Sequence, residues 1–150
     1  MQLRGFKVVS KYETKGIQLP VRKTKYSAGY DLEAAEDVSL LPGAVTLVPT
    51  GIKAYMQPDE YLGIHIRSGL SVKNKLSLVN GEGIIDADYF NNSENEGHIL
   101  IAIFNHGIQC VYINKGDRIA QGIFYNYLVA DHDGNTKFKI REGGLGSTGK

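Results

Sequence analysis

"YLGIHI", Tyr61 to Ile66, alternates apolar and other residues so that Leu62, Ile64 and Ile66 share one side of an extended chain, the period-two pattern of a strand with one buried face. Outward from it, "HILIAIF" (His98 to Phe104) is a continuous apolar run and predicts a strand buried on both faces. "FKVV" (Phe6 to Val9), "VTLVP" (Val45 to Pro49), "CVYI" (Cys110 to Ile113) and "GIFYNYLV" (Gly122 to Val129) are further strand candidates. Eighteen glycines and turn stretches such as "LPGA" and "DHDGN" separate these runs. Many short strands between glycine-rich turns predict an all-β domain: a sandwich, jelly roll or small barrel. One stretch differs. "SGLSVKNKL" places Leu70, Lys73 and Leu76 at helical spacing behind Ser68 as N-cap, which predicts one short helix after Arg67.

The chain has 150 residues, the length of one domain, and a globular domain of that size buries about 68–70% of its unfolded surface. Seventeen Lys and Arg against sixteen Asp and Glu leave no broad basic surface for nucleic acid, although a few convergent arginines can still hold a small anion. A single cysteine, Cys110, excludes an internal disulfide and a cysteine zinc cluster. The opening "MQLRGFKVVSK" lacks the apolar core of a signal peptide, and "ILIAIF" is too short to span a bilayer. A soluble, cytoplasmic protein without membrane contact is expected. His65, His98, His106 and His132 show no ligand spacing and read as surface or strand-packing residues.

Several stretches carry possible chemistry. "IRSGL" ends a strand on Arg67 and opens a helix at Ser68, bringing a guanidinium, a hydroxyl and free N–H groups to one point, as a phosphate requires. "GIIDADYF" (Gly83 to Phe90) sets Asp86 and Asp88 two apart, so that both carboxylates point the same way on an extended chain. Such a pair can hold Mg²⁺ or position a water, and it also occurs in plainly solvated turns. "YDLEAAED" contributes Asp31, and "GDRIAQGIF" contributes Arg118 and Gln121. The last eight residues, "GGLGSTGK", contain G-x-x-x-x-G-K from Gly144, the front of a phosphate-binding loop without the Ser or Thr and the helix that should follow.

In order, "SAGYDLEAA", "IRSGLSVKN", "NGEGIIDADY", "GDRIAQGIF" and "GGLGSTG" resemble the five motifs of the trimeric dUTP pyrophosphatases, the dUTPases. The resemblance runs from about Ser27 to Gly149. It implies a distorted β-barrel or jelly-roll subunit spanning residues 1–140, with residues 141–150 as a glycine-rich flap, assembled as a homotrimer with shared active sites. The first, second and fourth motifs would come from one chain, the third from another and the tail from the third chain. The tail would need no helix of its own, because partner subunits complete the phosphate site.

The implied reaction is hydrolysis of dUTP to dUMP and pyrophosphate, with Mg²⁺ as cofactor. Asp86 would activate the water, Gln121 fix it and Ser68 donate to the phosphate bridge. Substrate contacts would fall on Arg67 and Gly69, on Asn80, Gly83 and Ile85 of a uracil-reading hairpin, on Tyr89 against the deoxyribose, and on Arg141, Gly144, Leu145, Gly146, Ser147 and Thr148. Asp31 would support Mg²⁺ through water, and Arg118 and Asp88 would organise the site. Departures from the family pattern are Leu145 in place of the stacking aromatic of the tail, the position of Arg141, Ile66 in place of Pro and Gly69 in place of Ser. "FNNSENEG" (Phe90 to Gly97) is longer than the usual turn, and Phe90 is a candidate lid. Two rivals accompany this reading: a dCTP deaminase of the same fold, with Glu82 near the position of a buried general base, and a phage-type member whose 90–97 loop grips a regulatory protein.

Overall fold

The computed structural model describes residues 1–135, 137–146 and 148–149. Eleven strands form four antiparallel sheets around one core among these residues. They are β1 (Gly5–Val8), β2 (Tyr30–Glu33), β3 (Val38–Leu40), β4 (Val45–Pro49), β5 (Ile52–Tyr55), β6 (Glu60–Ile66), β7 (Leu76–Leu78), β8 (Gly83–Asp86), β9 (Leu100–Asn105), β10 (Val111–Ile113) and β11 (Arg118–Asn126). The sheet that carries most of the chemistry runs β2-β11-β6-β8; the others are β4-β9-β7, β1-β5 and β10-β3. Leu32, Leu62, Ile64, Ile101, Ile103 and Ile119 fill the space between them. The all-β prediction holds, as a distorted barrel of separate ladders.

Leu62 and Ile64 are buried and Ile66 packs against the same core, so the alternation of "YLGIHI" is realised on β6. In β9, by contrast, Ile101, Ile103 and Asn105 are buried while Leu100, Ala102 and Phe104 remain half-exposed. Among the described residues the expected second cover is absent. Val45 and Leu47 on the neighbouring β4 are more than 40% exposed, so the apolar outer face extends across the sheet.

The one α-helix, α1 (Ser68–Asn74), lies where expected, with two corrections. Arg67 is the N-cap and makes no side-chain capping bond, so Ser68 is the first helical residue and its hydroxyl is free of that duty. Lys75 then turns left-handed (φ 56°), which ends the helix and releases Leu76 into β7 as a core residue. The hairpin expected over Asn80 to Ile85 is not one: β7 pairs with β9 and β8 with β6, so residues 79–82 cross between two sheets. Asp88 lies on a single 3-10 turn, Ala87–Tyr89, instead of an extended strand.

Candidate active site

Strand register decides where the candidate residues meet. Asp31 on β2 pairs with Gln121 on β11, which in turn pairs with His65 on β6. β6 ends at Ile66, and Arg67 and Ser68 follow immediately. A cavity of about 260 Å³ collects Asp31, Arg67, Ser68, Arg118 and Gln121, together with Lys23, Ser27 and Gly29, which the sequence had not marked. Three cations face one carboxylate here, a charge balance suited to a polyphosphate. Asp31, with its side chain 14% exposed, accepts from Arg118 Nη1 at 3.3 Å, so Arg118 organises Asp31 and not Asp88.

Gly29 is shaped by its neighbour. A Cβ there would stand 2.2 Å from Gln121 Oε1, so only glycine lets the amide occupy its place.

The second cavity, about 470 Å³, lies at the other edge of the same sheet and is lined by Asn80, Gly83, Ile85, Asp86, Tyr89, Arg141, Gly144 and Leu145. Ile84, Glu94, Asn95 and Leu100 are among its other lining residues, without having been foreseen. Apolar side chains dominate its wall, which suits a flat ring more than a phosphate. Tyr89 is buried, its hydroxyl donates to the His98 carbonyl at 2.7 Å, and burial raises its pKa.

Arg141 does not face outward for a phosphate. Its Nη2 donates to Asp86 Oδ2 at 2.6 Å and its Nε to Asp88 Oδ1 at 2.8 Å, so the two carboxylates do converge, on a guanidinium instead of a metal. The tail continues along the 90–97 loop, where Glu94 N–H donates to the Glu142 carbonyl at 2.9 Å. Within one chain the tail therefore lies on its own β8, where the family resemblance implies a neighbour's. Its ion pairs there are those of Arg141 with Asp86 and Asp88. Left-handed backbone in the tail falls at Leu145 (φ 50°), Gly146 (φ 95°) and Gly149 (φ 101°).

Five expectations find no place in either cavity among the described residues: Gly69, Asp88, Gly146, Thr148 and Phe90. Phe90 turns away, packing edge-on to Tyr55 with ring centroids 5.9 Å apart and under Lys53 Nζ at 5.1 Å, so it forms no lid here. Lys53 is nearly buried and bonds Asn91 Oδ1 at 2.7 Å and Glu96 Oε1 at 2.6 Å. Those contacts fix the 90–97 loop, and the Lys53 ammonium, with help from Ser10, pulls the Glu96 carboxyl down to about 2. Ser147 lies outside the described residues. Among the described residues there is no cluster of three His, Cys, Asp or Glu that could hold a metal. Nor is any helix long and apolar enough to cross a membrane.

The two cavities share no lining residue among those described, and the register says how far apart they are. Asp86 pairs with Tyr61 and Gln121 with His65, four positions along β6 and on opposite sides of it. At about 3.3 Å per residue and about 4.8 Å per strand, their backbones stand roughly 16 Å apart. Groups acting on one water must come within about 3–3.5 Å of the reacting atoms. Within one chain, Asp86 and Gln121 are thus too far apart to act on one water.

A cationic half for phosphates and an apolar half with a carboxylate, both on a β-barrel, place the chain in the class of nucleotide-hydrolysing jelly-roll proteins. The family model described as dUTPase matches residues 15–149. A deoxyuridine 5'-triphosphate nucleotidohydrolase of Lactococcus lactis is 51% identical over 149 residues, 99% of each chain, and one of Desulfotalea psychrophila is 36% identical over 91% of each. The crystal structure of a dUTPase from Streptococcus mutans superposes with a TM-score of 0.81 at 44% identity, over 85% of this chain and 98% of that one. The chain belongs to the dUTPase family.

Proposed function

We propose that this protein hydrolyses dUTP to dUMP and pyrophosphate at sites assembled from more than one copy of the chain. The match to the Lactococcus lactis nucleotidohydrolase over the whole chain carries the reaction. Separation of the Asp86 and Gln121 cavities supports the shared assembly. So does the half-exposed apolar face of Leu100, Ala102 and Phe104, which a neighbouring copy would cover. A homotrimer, as the family resemblance implies, closes such an arrangement symmetrically.

In the assembled site the triphosphate lies in the cationic half and the base in the apolar half. Water attacks the α-phosphorus, its proton passes to Asp86, and the bond to the bridging oxygen breaks to release pyrophosphate. Gln121 holds the water in line, Ser68 donates to the bridge and Arg67 holds phosphate oxygens. Uracil is read along residues 80–85 and the sugar lies on Tyr89. Arg141 leaves Asp86 for the terminal phosphate when the neighbour's nucleotide arrives, which frees the carboxylate to accept the proton.

Asp31, the one carboxylate of the phosphate half, fits a Mg²⁺ held mainly by phosphates and waters, because magnesium keeps most of its waters and needs few protein ligands. When bound, the ion would neutralise charge on the phosphates.

The deaminase alternative needs a buried glutamate. Glu82 is 38% exposed on its side chain and stands 3.6 Å from His65 Nε2, which does not support that role. Incubation with dUTP and with dCTP, with and without Mg²⁺, separates the readings: pyrophosphate from dUTP is expected, and ammonia from dCTP would refute the proposal.

A further inference from the structure

The longer loop after Tyr89 has an internal order that the reaction above does not use. Asn92, 7% exposed, donates from Nδ2 to the Tyr89 carbonyl and to Asn95 Oδ1, both at 2.8 Å. Its Oδ1 accepts from the N–H groups of Glu94 and Asn95, each at 3.0 Å. Asn95 Oδ1 accepts a second bond, from Gly97 N–H at 3.1 Å. With two donors aimed at that oxygen, the amide has only one orientation, and Nδ2 must face the Tyr89 hydroxyl, 2.8 Å away. The phenol oxygen therefore accepts from Asn95 and has only the His98 carbonyl to donate to.

The consequence is a tyrosine without a spare polar function. Both of its hydrogen-bonding roles are consumed behind the ring, and the face left to the cavity is hydrocarbon. Gly144 passes close over it: a Cβ there would stand 3.0 Å from Tyr89 Cε2. A ring whose hydroxyl is held by two partners resists tilting and has no partner to offer an additional hydroxyl, and a site rejects what it leaves unpaired.

We propose that Asn95 is a positioning residue that sets discrimination between deoxyribose and ribose, by locking the Tyr89 ring through its hydroxyl; this rests on the reading that the sugar of dUTP lies on Tyr89. Asn92 holds Asn95 in register, so the loop works as a brace for one ring. The inward direction of these amides also leaves them unsuited to gripping another protein.

The test compares kcat/KM for dUTP and UTP in the wild type, Asn95→Asp, Tyr89→Phe and the double variant. Asn95→Asp keeps shape but turns an acceptor toward the phenol. We expect the dUTP/UTP ratio to fall about tenfold with kcat for dUTP within about twofold. Tyr89→Phe removes that hydrogen bond together with the one to the His98 carbonyl, should lower the ratio at least as far, and should leave Asn95→Asp nothing further to change. An unchanged ratio in either folded variant overturns the inference, as does equal loss on both substrates, the mark of a purely structural role. If Asn95→Asp does not fold, Tyr89→Phe decides alone. A wild type that releases no pyrophosphate from dUTP overturns the underlying reading and the inference with it.

Discussion

Replacing Gly29 by alanine tests how closely the phosphate half is built around Gln121. Gly29 is buried and does not need a left-handed backbone, so the substitution adds only a methyl group. That methyl would stand 2.2 Å from Gln121 Oε1 and 3.0 Å from its Cβ and Cδ. Ordinary carbon contacts begin near about 3.5 Å, so the amide must retreat by about 1 Å. A misplacement of about 1 Å can cost on the order of 10²-fold in rate, about 2.7 kcal/mol of transition-state stabilisation. Pyrophosphate release at saturating dUTP should show that loss in kcat, with KM changed only a few-fold and the melting temperature little altered. Because the effect acts through the amide, Gly29→Ala added to Gln121→Ala should cost nothing beyond Gln121→Ala alone. Wild-type turnover in Gly29→Ala, or a further hundredfold loss in the double variant, would refute the reasoning.

Other expectations are as specific. Asp86→Asn should lower kcat by about 10²–10⁴-fold, the usual contribution of a general base, and a variant at wild-type rate would remove Asp86 from the chemistry. His98 is buried and accepts from Gly51 N–H at 2.8 Å, and burial, with Lys11 nearby, lowers its pKa from 6.5 to about 4. The unfolded chain therefore binds this proton first, so stability should decline by about 3 kcal/mol between pH 6.5 and 4 and level off below. His98→Gln should flatten that decline in urea titrations, and an unchanged slope would contradict it. Glu96→Gln should cost about 2 kcal/mol in the same assay by loosening Lys53, and should abolish the stability otherwise lost as pH falls from 4.5 towards 2.

Residues differ in how plainly they announced themselves. "VTLVP" is β4 to the residue: all five positions pair with β9, although only Val48 is buried. "GIFYNYLV" misled at both ends: β11 begins at Arg118 and stops at Asn126, and the apolar Leu128 and Val129 beyond it are exposed. "HILIAIF" reads as buried on both faces because its run is apolar throughout, whereas within one chain only alternate residues of β9 are buried. The motif residues Asp31, Arg67, Ser68, Gln121 and Asp86 were legible one by one, but their division into two cavities follows from strand register, which no local pattern contains. Ser27 opens a marked motif and Lys23 lies four residues ahead of it, so both could have been included. Asn95 had only an asparagine-rich stretch to signal it, and its role appears once the amide orientations are fixed by their partners.

Mixing two crippled chains addresses the split site itself. Asp86→Asn and Gln121→Ala, each nearly inactive alone, are unfolded together, refolded at equal ratio and assayed for pyrophosphate from dUTP. If every site takes Asp86 from one copy and Gln121 from another, about a quarter of sites regain both, and about a quarter of wild-type activity should return. Activity no greater than the sum of the separate variants would mean that each chain completes its own site.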